Sequence, residues 1–281
     1  MINVKFMIQK TKVLTLIVFG LLFINLSAQD GNFENDPNAK LPDEDRKFRF
    51  GLQFSPHVSW FKTNTDGYES SGTQIGFSVG PVFEYFLSKN YLFSTGFTIL
   101  NSGGDVKFKS GVVYDRTAQG LPNLYFLSEV EQKYSLKYIE LPLLLKLRTN
   151  EIGYLTYFGQ FGFKVGFNYG STIEETHSYY DEVAQIEKTI TDKIGNASGS
   201  VNFLNMSLVI GAGVEYSISG NTSLMLGLTF NNGFISQLDT DVIAYDANGN
   251  SFLDSSGNPV LLNKDVSANL NYISLNIGIF F

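Results

Sequence analysis

From residue 46 onward the chain alternates apolar and polar positions in runs about a strand long. In the first run Phe48, Phe50, Leu52, Phe54, Val58 and Trp60 share one side, and Arg49, Gly51, Gln53, Ser55, His57 and Ser59 share the other. Successive strand side chains point to opposite faces, so a run of this length predicts a strand with one apolar face. Seven more runs follow the same rule, at 75–87, 91–99, 139–147, 155–169, 204–216, 224–230 and 273–281. None approaches the ~20 apolar residues of a membrane-spanning helix, whereas each is close to the ~9–11 of a tilted transmembrane strand.

The connections alternate as well. Short turns fall at 88–90, 148–153 and 219–222, and long polar stretches at roughly 62–72, 103–132, 171–202 and 231–268. Short periplasmic turns alternating with long external loops are the pattern of bacterial outer-membrane barrels, and an even strand count puts both termini in the periplasm. The expected fold is therefore all-β: an eight-stranded antiparallel transmembrane β-barrel over residues 46–281, located in the outer membrane.

A soluble barrel would also alternate, so the facing needs its own argument. An eight-stranded barrel is just wide enough for side chains to fill. The apolar face carries Phe, Tyr, Leu and Ile, too much bulk for that interior. The opposite face holds most of the strand glycines, including Gly51, Gly76, Gly80, Gly96, Gly162, Gly211, Gly213, Gly227 and Gly278, which suit a tightly curved lumen. The apolar face is therefore expected to meet lipid. Pro81 and Pro142 lack an N–H for the ladder and are expected at bulges or near rims. Around Pro142 the facing of Leu136 and Tyr138 stays open.

The first residues change the picture of where the chain goes. Lys5, Lys10 and Lys12, an apolar stretch at 13–26 and the exit Ser27-Ala28-Gln29 are the parts of a secretory signal peptide over 1–28. Residues 29–45, acidic and broken by Pro37 and Pro42, read as a flexible periplasmic lead-in. Loss of three lysines takes the net charge from −7 to −10. That acidity argues against nucleic acid as a partner. With no cysteine in the chain, disulfides and thiolate metal sites are excluded.

The Tyr138-Ile139-Glu140-Leu141-Pro142-Leu143-Leu144-Leu145-Lys146 stretch, the Ala28-Gln29 exit, the eight-strand spacing and the terminal Ile277-Gly278-Ile279-Phe280-Phe281 together resemble the PorT-like outer-membrane β-barrel family. The fourth-strand stretch is the distinctive part. The final Phe on an amphipathic last strand also resembles the signal that barrel-assembly machinery reads. The resemblance implies an outer-membrane location, and one family member serves a protein-secretion and gliding apparatus. It supplies no catalytic residues.

The inward positions carry six charges, Arg49, Lys146 and Lys164 against Glu84, Glu140 and Glu215. Buried charges must pair, and strand direction sets Arg49, Glu84, Lys146 and Glu215 toward the periplasmic end, with Glu140 and Lys164 further up. A structural network is expected rather than a solute or proton path, because Phe86, Leu92, Leu100, Phe158 and Phe280 share that lumen. His57 and Ser59, on the inner face toward the external end, could form a base–nucleophile pair acting on a lipid ester. No third group accompanies them, and a satisfied rim histidine is the favoured reading. Asp246, Asn248, Asn250 and Asp254 loosely mimic a calcium loop, but Asn248-Gly249 is itself a hairpin-turn signal. The 171–202 stretch, with Glu174, Glu175, Asp181, Glu182, Glu187 and Asp192 against Lys188 and Lys193, reads as a solvated face. The expectation is a non-enzymatic barrel without cofactor or metal. Its partners would be outer-membrane lipid and proteins of an envelope or secretion complex. A lipid-modifying enzyme and a passive structural barrel are the alternatives.

Overall fold

The computed structural model describes residues 47–114, 124–181, 186–244, 252, 254 and 260–281. Residues 1–46, with the expected signal peptide and lead-in, lie outside them. Among the described residues the elements are β1 (Phe48–Thr63), β2 (Tyr68–Ser88), β3 (Tyr91–Gly96), β4 (Thr98–Tyr114), β5 (Leu124–Arg148), β6 (Leu155–Asp181), β7 (Ile186–Ile194), β8 (Leu204–Ser219), β9 (Thr222–Ser236), β10 (Asp241–Ile243), β11 (Leu261–Asp265) and β12 (Ala268–Phe280). No helix among them is long and apolar enough to cross a membrane.

The strands close on themselves. β1 pairs with β2, β2 with β3 and β4, these two with β5, and the ring runs on through β6, β8, β9 and β12 back to β1, antiparallel throughout. β3 and β4 are one wall strand interrupted at Phe97, so the wall has eight strands. Register partners traced round the ring from His57 pass Ser274, Thr229, Gly211, Gln160, Lys146, Leu92 and Phe86. The last of these donates to the Lys47 carbonyl, ten residues below the start. A shear of ten over eight strands tilts them by about 41° and gives a backbone diameter of about 16 Å. Such a lumen holds side chains and little else.

The apolar face points outward. Phe50, Leu52, Ile75, Ile210 and Leu228 are each more than half exposed, while Arg49, Ser55, Ser78, Thr229 and Ser274 on the opposite face are buried. The two prolines share one defect. The β3–β5 ladder stops at Thr95↔Leu143 and the β4–β5 ladder resumes at Thr98↔Glu140, which leaves Pro142 facing the break. From the other side Phe97 donates to the Pro81 carbonyl but gets no N–H in return. Both missing donors are thus spent on the Gly96-Phe97 interruption, inside the wall rather than at a rim. Parity holds through Pro142, so Leu136, Tyr138, Glu140, Leu144 and Lys146 are all buried. The slip lies opposite, in β6, where the register jumps across Tyr169.

Glycine serves a packing purpose at one place in particular. The Phe158 ring lies over Gly213 and Gly227, and a Cβ on Gly213 would stand 2.5 Å from the Phe158 Cζ and 2.6 Å from the Gly227 Cα. Gly213→Ala is expected to cost about 1–3 kcal/mol by overpacking. The urea midpoint of the barrel folded in lipid vesicles measures this, and an unchanged midpoint would refute it.

The stretches at 103–132 and 171–202 are only partly loops. β5 runs for 25 residues and β6 for 27, far more than a crossing needs. β4, β5, β6 and β7 therefore continue past the apolar belt as a sheet. Apolar residues scattered through the polar stretches, Tyr68, Val106, Ile173, Val201, Leu238, Val242 and Val266, join Leu100, Tyr138 and Tyr272 in one buried cluster that caps the lumen. A smaller cluster of Val82, Phe158, Met225 and Phe280 fills its other end.

Candidate functional site

Alternation aims the six charged side chains inward, and the shear brings them into two groups. In the lower group Arg49 Nε lies 2.5 Å from Glu84 Oε2 and Arg49 Nη2 lies 2.5 Å from Glu215 Oε1. Lys146 Nζ donates to Glu84 Oε1 at 2.9 Å and also contacts Glu215 Oε1. Lys146 is wholly buried, and Glu84 and Glu215 nearly so. A seventh charge completes the group: Arg148 Nη2 lies 3.0 Å from Glu215 Oε2. Sequence reasoning left Arg148 in a turn, although its even position matches Lys146 and Glu140 on the same strand. Three cations thus meet two carboxylates. The apolar floor takes up part of that excess, with Lys146 Nζ 4.2 Å above the Phe158 ring and the Arg49 guanidinium 4.5 Å from the Phe280 centroid.

The second group is smaller. Tyr272 donates to Glu140 at 2.9 Å, Lys164 Nζ stands 3.4 Å from Glu140 and 3.1 Å from the Tyr272 hydroxyl, and Thr98 donates to Glu140 at 3.4 Å. Tyr272→Phe would leave the carboxylate short of its best donor. A loss of about 1–3 kcal/mol follows for a buried charged acceptor. Unfolding in urea would show it, and equal stability of the two proteins would contradict it.

His57 lies beside this group, its ring 4.9 Å from that of Tyr272. It is buried rather than at a rim, and it is only half satisfied: its Nδ1 lies 3.4 Å from the Ser55 carbonyl oxygen, while its Nε2 has no hydrogen-bond partner. The rim was misplaced because the wall rises further than the alternating runs do. Ser59 is fully buried and donates to the carbonyls of Gly103, at 2.7 Å, and Gln74. The His57–Ser59 contact that the alternative base–nucleophile reading needs is absent from these hydrogen bonds.

Outside the lumen the acidic stretch is folded. Lys193 pairs with Glu174 at 3.0 Å across β6 and β7, and His177 with Glu175 at 2.7 Å. Glu182, Asp246, Asn248 and Asn250 lie outside the described residues. Among the described residues no cluster of His, Asp and Glu could hold a metal ion.

A family model described as outer membrane protein beta-barrel domain matches residues 28–238. No curated protein matches the chain. Solved structures similar to it include Neisserial surface protein A, 12% identical over 82% of this chain and 95% of that one, with a TM-score of 0.38. Outer membrane protein OprG from Pseudomonas aeruginosa is 14% identical over 84% and 95%, with a TM-score of 0.39. Ail, the attachment invasion locus protein of Yersinia pestis, is 12% identical over 84% and 100%, with a TM-score of 0.32.

Proposed function

Because the chain belongs to the outer membrane protein β-barrel domain family, we propose that it works as a non-enzymatic, protein-binding module of the outer membrane, with the sheet above the membrane as its working surface. The observation that carries this is the length of β4, β5, β6 and β7 relative to the apolar belt. A strand costs conformational entropy to order, and these are ordered well beyond what spanning requires. The lumen offers no competing role, since charge pairs fill its lower end and an apolar cluster its upper end. The six charges Arg49, Glu84, Glu140, Lys146, Lys164 and Glu215, together with Arg148, act as a structural tie between strands.

The finer version follows the PorT-like resemblance: a module of a secretion or envelope-assembly complex, with residues 1–28 removed on export and both mature termini in the periplasm. Affinity purification from native outer membranes tests it, using a tag within residues 29–45 and mild detergent, read by mass spectrometry. A stoichiometric protein partner is expected, and it should be lost when residues 108–130 are replaced by a short turn. Retention of the partner by that variant would move the surface to the periplasmic side. Recovery of the barrel alone, without self-association, would favour a passive structural barrel.

A further inference from the structure

The external sheet ends at β7, which has one ladder neighbour among the described residues, β6. An edge strand exposes a row of backbone donors and acceptors to any strand that fits it. β7 reads Ile186-Glu187-Lys188-Thr189-Ile190-Thr191-Asp192-Lys193-Ile194, and its order of side-chain types reverses about the centre. Laid antiparallel against a second copy with Ile190 on the two-fold axis, it sets Ile186 against Ile194, Lys188 against Asp192 and Thr189 against Thr191. Lysine then faces aspartate, threonine faces threonine and isoleucine faces isoleucine, the cross-strand pairs that stabilise an antiparallel sheet. Neighbouring registers fail. A shift of the axis by half a residue brings Lys188 against Lys193 in one direction and Ile186 against Lys193 in the other. A full-residue shift sets charges against isoleucine and threonine. Ile186, Ile190 and Ile194 share a face and are each at least two-fifths exposed, so the pairing would also cover apolar surface.

We propose that β7 is a homotypic docking edge, pairing antiparallel with β7 of a second copy of this chain. The inference rests on the reading of the external sheet as a protein-binding surface and names its partner. Membrane geometry adds a restriction. The two-fold axis of an antiparallel pair is perpendicular to the strands, whereas two barrels in one membrane are related by an axis along the membrane normal. Strands that rise out of the membrane therefore pair between copies facing each other from two membranes. A single strand pair covers less than the ~1,600 Å² of a standard interface, so one contact is weak and many facing copies act together.

The test uses the full barrel reconstituted in vesicles with its external side outward, and the readout is vesicle clustering by light scattering. Wild-type vesicles are expected to cluster. Asp192→Lys sets lysine against Lys188 at both symmetric positions and should reduce the clustering rate more than tenfold. The charge-swapped double variant Lys188→Asp, Asp192→Lys should restore it. Folding of each variant is checked by gel mobility before and after heating. Because the chain contains no cysteine, Ile190→Cys gives a single thiol on the proposed axis and should cross-link differently tagged copies from separate vesicles. Clustering unaffected by Asp192→Lys, or not rescued by the swap, overturns the pairing. If vesicles fail to cluster while affinity purification recovers another protein through the external sheet, the homotypic edge is refuted and the protein-binding reading stands. If neither occurs, both fall.

Discussion

Glu215→Ala is expected to be the most damaging single lumen substitution, destabilising the barrel by about 3–5 kcal/mol, the range for breaking a buried charge pair by removal of one partner. Glu215 is the carboxylate shared by Arg49, Lys146 and Arg148. Its removal leaves Arg49 and Lys146, both buried and unable to reach bulk water, to share the single carboxylate of Glu84, and takes from Arg148 its ion pair with Glu215. Glu84→Gln should cost less, because the amide oxygen can still accept from Arg49 or Lys146 and the Glu215 charge remains. Replacing Lys146 and Glu215 together by Met and Leu should recover much of the loss, since a well-packed apolar pair avoids the desolvation of two ions. Urea unfolding in lipid vesicles, followed by gel mobility of the folded and unfolded forms, orders the three variants. An alanine variant as stable as Glu84→Gln would show that Glu215 is not the centre of the network.

The group around Glu215 was legible in the sequence as far as period two reaches. Alternation fixes which residues face inward, and strand direction fixes which end of the barrel they occupy, so Arg49, Glu84, Lys146 and Glu215 could be placed together before any coordinates. Arg148 was missed because the run Leu143-Leu144-Leu145-Lys146-Leu147 ends just before it, and a polar residue after an apolar run reads as a turn. The sheet beyond the apolar belt was missed for a related reason. Beyond the apolar belt neither face of β4, β5 or β6 meets lipid, so the outer positions Lys107, Glu131 and Lys133 are polar and the inner ones, Val106, Tyr134 and Ile173, are diluted among them. The apolar period disappears although the strand continues. The prolines show the converse. Each was expected at a bulge or near a rim, and only pairing partners far apart in sequence reveal that both missing donors fall on Gly96 and Phe97 inside the wall.

Leu228→Arg tests the facing on which everything else depends. Leu228 lies in the middle of the outward run Leu224, Leu226, Leu228 and Phe230, more than half exposed, between Ala212 of β8 and Leu275 of β12. A guanidinium near the bilayer midplane on the lipid face costs about 2–4 kcal/mol, falling to about 0–1 near the interface. Asn232→Arg, two inward–outward steps further along the same strand and face, toward the end that carries the extended sheet, supplies the comparison. In lipid vesicles Leu228→Arg should unfold at markedly lower urea than the parent, with Asn232→Arg close to it. The size of the effect should follow depth and not side-chain volume, because the backbone hydrogen bonds of β9 are untouched by either change. Were this face in water, as in a soluble barrel turned inside out, arginine at 228 would gain hydration and the two variants would be equally stable. A gap between them therefore locates the bilayer against this strand. It also leaves the charges of Arg49, Lys146 and Glu215 no medium but the closed lumen in which to pair.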